Sequence, residues 1–133
     1  MTKIKILSIL EKWNEVMSEI RCALVKNDFD DKFCNSFELA LDEAFANISM
    51  YAYDDTGEVE IAYVINRDEA NVEFRDYGKE FNPMLAHSLP KDNVPLKKRK
   101  AGGLGIFIMK KQTSEIIYKR EDNSNLLTLI KRR

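Results

Sequence analysis

The apolar positions change period several times along the chain, and each change marks an element. Lys3 to Ser8 alternates, with Ile4 and Ile6 facing one way, which predicts a short first strand. A helical period follows: Ile9, Trp13, Val16, Ile20 and Leu24 recur at three- and four-residue steps, with Leu10 and Met17 beside them. Glu11, Lys12, Asn14, Glu15, Glu19 and Arg21 fall on the other side, so Ile9 to Lys26 reads as one amphipathic helix. The polar break Asn27-Asp28-Phe29-Asp30-Asp31 can cap a second helix. That helix runs from about Lys32 to Tyr51, with Phe33, Phe37, Leu41, Ala44 and Ile48 on one face. Asp54-Asp55-Thr56-Gly57 is a turn, after which the period becomes two again. Glu58 to Asn66 shows Val59, Ile61, Tyr63 and Ile65 on one face, and Ala70 to Tyr77 shows Val72 and Phe74. The short link between them predicts an antiparallel hairpin.

Gly78 to Gly103 has no apolar period. It holds Pro83, Pro90, Pro95 and the basic run Lys97-Lys98-Arg99-Lys100, and a loop this long in a compact domain suggests a lid. Helical signal returns at Leu104 to Lys111, and two strands follow, Glu115 to Arg120 and Asn125 to Lys131. Two long helices, a hairpin, a lid-like loop, a helix and a second hairpin predict an α+β two-layer sandwich.

Composition narrows the class. A chain of 133 residues is the size of one domain, so residues 1–133 are expected to share a single core. With 21 Lys and Arg against 22 Asp and Glu, the net charge of −1 is not that of a general nucleic-acid binder. An apolar fraction of 44% with 5 Gly excludes a disordered or collagen-like chain. No apolar run is long enough to span a membrane, and the start of the chain does not read as a signal peptide, so a cytoplasmic protein is expected. Cys22 and Cys34 have no metal spacing and are expected to be buried thiols. His87 is the single histidine, too few for a structural zinc site. Charge is unevenly placed: Phe33 to Asn66 contains no Lys or Arg, whereas the late loop has four consecutive cations.

Three groups of residues could carry chemistry. Glu43 and Asn47 are one helical turn apart, on a face that adjoins the apolar stripe. A carboxylate there can act as a general base, and an amide oxygen can hold a hard cation such as Mg²⁺; a surface carboxylate beside a buried amide is the plainer alternative. Asp76-Tyr77-Gly78 ends a strand, where a carboxylate can accept from an exocyclic amine and a glycine admits close approach of a flat ring; the same residues are ordinary turn material. Gly102-Gly103-Leu104-Gly105 opens a helix just after the basic run, so its backbone N–H groups can form an anion site or serve as a hinge. It is neither a P-loop nor a dinucleotide fingerprint, because Lys-Ser/Thr does not follow and no βαβ unit surrounds it.

In order and spacing these groups resemble the boxes of the bacterial anti-sigma-factor serine/threonine kinases. Glu38 to Ile48 resembles their N box, Asp76 to Pro83 the first glycine box, Gly102 to Ile108 the second, and Leu126 to Leu129 the closing strand. That family lies in the histidine-kinase-like ATPase superfamily with the Bergerat fold, so the resemblance implies a mixed, mostly antiparallel sheet covered by helices on one face. It implies ATP and Mg²⁺ as cofactors, Glu43 as general base and Asn47 as Mg²⁺ ligand. By the same resemblance Asp76 accepts from the adenine amino group with Gly78 beside the ring. Gly102, Gly103 and Gly105 would wrap the phosphates, and Thr128 would support the adenine contact. It further implies a sigma factor and an antagonist protein as partners and, as in many relatives, a homodimer, with no direct nucleic-acid or membrane contact. The alternative is a nucleotide-gated binding switch with little or no kinase activity. The chain departs from the family at Tyr51-Ala52-Tyr53, where many relatives read His-Ala-Tyr. The catalytic domain of a sensor histidine kinase is disfavoured, since His87 lies between Pro83 and Pro90 and not on a dimerisation helix.

Overall fold

A computed structural model describes residues 1–88 and 105–133. The elements follow in the order β1 (Thr2–Leu7), α1 (Leu10–Lys26), α2 (Asp31–Asn47), a single π-helical stretch (Ile48–Ala52), β2 (Glu58–Ile65) and β3 (Glu69–Asp76). After them come a 3₁₀ turn (Pro83–Ser88), α3 (Gly105–Gln112), β4 (Glu115–Glu121) and β5 (Ser124–Arg132). The Asp30 side chain caps α2 by accepting from the Phe33 N–H at 2.8 Å, as the polar break predicts. The expected second helix runs to Tyr51 as one α-helix, but the structure widens it after Asn47. Apolar spacing carries no sign of this, because Ile48 continues the stripe.

The five strands form one sheet in the order β1-β2-β3-β5-β4, with every pairing antiparallel among the described residues. The register decides which side chains share a face. One row across the sheet joins Ile4, Ile61, Phe74, Leu127 and Tyr118. The next row on that face joins Ile6, Val59, Asp76, Asn125 and Arg120. The helices cover this face, and Ile61, Phe74 and Val59 are fully buried beneath them. The opposite face carries rows such as Lys5-Glu60-Arg75-Leu126-Lys119, polar enough to meet water without a second layer.

Trp13 fixes α1 against both neighbours. Its ring stacks on Phe45 at 5.0 Å and tilts against Phe74 at 5.5 Å, while its Nε1–H donates to Asp42 Oδ1 at 2.7 Å. Cys34 is buried as expected, but Cys22 is exposed, because it falls on the solvent side of α1. No helix among the described residues is long and apolar enough to cross a membrane.

Candidate functional site

The second half of α2 and the end of β3 face each other across the inner side of the sheet. Asp76 is the last residue of β3 and is 3% exposed, an unusual place for a carboxylate. Its Oδ1 accepts from the Gly78 N–H at 3.0 Å and from Asn125 Nδ2 at 2.8 Å. Burial pushes its carboxyl above the ordinary value, while Asn125, the Gly78 N–H and the Arg120 charge pull the other way. Gly78 is explained by backbone packing. A side chain there would run into the carbonyl of Ala52, the last residue of the π-helical stretch. The neighbouring Lys79 N–H donates to that same carbonyl at 3.0 Å, and Arg120 Nη1 donates to Gly78 O at 2.9 Å.

Asn47 ends α2 at 2% exposure, and neither its Nδ2 nor its Oδ1 has a hydrogen-bond partner among the described residues. Leaving an amide buried and unpaired costs about 1–3 kcal/mol, and nothing among the described residues offsets that cost. Asn47 and Asp76 wall a common cavity with Ala44, Ile48, Ala52, Phe81, Pro83, Tyr118, Asn125 and Leu127. The cavity is about 10 Å³, room for about one water, against the ~300 Å³ or more of an ordinary ligand pocket. Phe81 and Pro83 help keep it that small, and the Phe81 ring stacks on Tyr51 at 4.7 Å. Tyr51 thus bears on the loop root.

One turn before Asn47, half-buried Glu43 lies against the first residue of α3. A Cβ at Gly105 would meet Glu43 Oε2, the far end of a flexible side chain, so a larger residue there would make Glu43 turn aside. Burial and, next, the charge of Asp42 raise the Glu43 carboxyl above its ordinary value. The structure thus brings Glu43 to Gly105 and Asn47 to Asp76, along one side of α2. Gly102 and Gly103, with Lys97 to Lys100, lie outside the described residues.

Thr128 is a correction. Its register partners are Glu73 and Ile117, which puts it on the face of the sheet opposite to Asp76, where it is buried. Strand side chains alternate, and Thr128 is three residues from the position beside Asp76, so it points away. Asn125 stands in that position. Its parity with Leu127 and Leu129 in an alternating strand was the signal that could have found it. Tyr118 and Arg120 reach the site from β4 by the same alternation.

The donor set suits a hard cation. Asn47 offers a buried, unpaired amide oxygen beside a carboxylate one turn away, the oxygen chemistry that Mg²⁺ prefers. Among the described residues there is no cluster of three or more His, Cys, Asp or Glu that could hold a metal alone. Such a site would be completed by phosphate oxygens and water. No curated protein matches the chain. Residues 8–131 match the histidine kinase-like ATPase domain family.

Proposed function

Because the chain belongs to the histidine kinase-like ATPase domain family, whose fold binds ATP, we propose that it is an ATP- and Mg²⁺-dependent protein serine/threonine kinase of the cytoplasm. In this reading it is also an anti-sigma factor, which holds a sigma factor and phosphorylates an antagonist protein that carries the acceptor hydroxyl. The observation that carries the kinase reading is Glu43 seated against the N-terminus of α3, one turn from the unpaired amide of Asn47. Phosphoryl transfer asks little covalent work of a protein, and positioning with electrostatic stabilisation does most of it.

Each residue then has a task. Asp76 accepts from the 6-amino group of adenine. Asn47 would hold Mg²⁺ through its amide oxygen, and the ion would supply positive charge at the phosphates. Gly105, with Gly102 and Gly103 before it, offers backbone N–H groups to the phosphates at the positive end of the α3 dipole. Glu43 takes the proton of the attacking hydroxyl.

Transfer of labelled γ-phosphate to a candidate antagonist tests this reading. Glu43→Ala should lower the rate by about 10²- to 10⁴-fold and spare ATP affinity, because a base acts in the transition state. Transfer at the wild-type rate would remove Glu43 from the mechanism. A second reading, a nucleotide-gated binding switch with little transfer activity, is favoured by Tyr51 standing where relatives have histidine and stacking on Phe81. ATP binding without transfer to any partner would decide for it.

A further inference from the structure

The amide of Asn125 is used to its full capacity inside the protein. A carboxamide has two N–H donors and two acceptor lone pairs. Asn125 Nδ2 donates to Asp76 Oδ1 at 2.8 Å and to Lys79 O at 2.9 Å. Its Oδ1 accepts from the Phe81 N–H at 3.2 Å and from the Tyr118 hydroxyl at 2.5 Å. With 3% of its surface exposed and all four positions filled, the side chain has nothing left to offer a ligand directly.

Its effect on a ligand has to pass through Asp76. Asp76 Oδ1 already accepts from Asn125 and from the Gly78 N–H. One donor lies two residues along the chain and the other across the sheet, and together they hold this oxygen in place. Asp76 itself lines the cavity. The four partners of Asn125 come from the end of β3, the loop root and β4, so its own rotation is locked as well.

We propose that Asn125 is a positioning residue for base recognition: it holds Asp76 so that the carboxylate reads the 6-amino group of an adenine nucleotide. This rests on the adenine reading of Asp76 given above. Asn125 thereby sets the preference for adenine over purines without that amine, although it never touches the base. Tyr118 holds Asn125 in turn, so its hydroxyl belongs to the same chain of control.

The test pairs a change in the protein with a change in the ligand. ATP and purine-riboside triphosphate differ only in the 6-amino group, and their Kd ratio reports what that amine contributes. In the wild type the ratio should be roughly tenfold or more, the size of a hydrogen bond to a charged acceptor. Asn125→Leu should bring the ratio close to one, and Tyr118→Phe, a milder change, should reduce it partway. A common loss of affinity for both ligands with the ratio preserved would show that Asn125 merely supports the fold, and would overturn the proposal. The Tyr118→Phe result stands by itself if Asn125→Leu does not fold, and an unchanged ratio there overturns the proposal equally. A wild-type ratio near one would instead bring down the adenine reading of Asp76, a different failure with a different signature.

Discussion

Asp76 and Glu43 are carboxylates held where their charge is disfavoured, and each is accompanied by residues that explain why. For both, burial is the first cause of a raised pKa; for Glu43 the neighbouring charge of Asp42 adds to it. A raised folded-state pKa means that the folded protein holds these protons more tightly than the unfolded chain does. The stability they contribute is therefore present below the ordinary carboxylate value and is lost as pH rises through the raised values. The apoprotein should thus gain thermal stability as pH falls from neutral toward that window. Replacing both groups, as Asp76→Asn and Glu43→Gln, should flatten that part of the profile and raise the midpoint at neutral pH. Thermal melts of wild type and the double variant across pH 4 to 8 check this, and parallel profiles would contradict it. At the same scale the sequence was partly legible. Glu43, Asn47 and Asp76 could be picked out by spacing. Asn125 could not be reached by motif matching, which favoured Thr128, although strand alternation alone separates the two faces.

Elements, more than single residues, decide whether the site is open. The π-helical stretch Ile48–Ala52 turns the chain so that the Ala52 carbonyl meets Lys79 and Tyr51 meets Phe81. The 3₁₀ turn that begins at Pro83 is pinned by Asn82, whose Oδ1 accepts from the Met84 N–H at 2.9 Å. Together they press Phe81 and Pro83 onto the cavity, so a purine entering there would have to displace them. An aromatic stack is worth about 0.5–1.5 kcal/mol. If it supports the shut arrangement, Tyr51→Ala should raise ADP affinity about two- to tenfold, because the binding-competent fraction grows. Competition with a fluorescent ADP analogue measures this, and weaker binding by the variant would show that Tyr51 supports the occupied form instead. Element type followed well from apolar period, since long amphipathic helices and alternating strands are the strongest signals a chain carries. The widened turn was hidden because its residues keep the apolar stripe of α2, and the difference lies in backbone hydrogen bonding alone.

The whole molecule explains how distant segments become one site. Antiparallel pairing of β3 with β5 places Asp76 opposite Asn125 although 49 residues separate them. Packing of α3 on α2 brings Gly105 to Glu43. The residue types were visible in the chain, but their juxtaposition follows from sheet order and register, which no single motif encodes. The acidic stretch from Phe33 to Asn66 falls in α2, the π-helical stretch, the turn and β2. This fold is proposed to bind a magnesium adenine nucleotide through Asp76. Calorimetric titration of Mg·ATP and Mg·GTP into wild type and Asp76→Asn tests it most directly, because the substitution keeps volume and an acceptor for Asn125. Wild type should bind ATP more tightly than GTP, and Asp76→Asn should keep its far-UV circular dichroism while losing roughly tenfold or more in ATP affinity. Equal ATP affinity for the two proteins, or equal affinity of wild type for ATP and GTP, would contradict it.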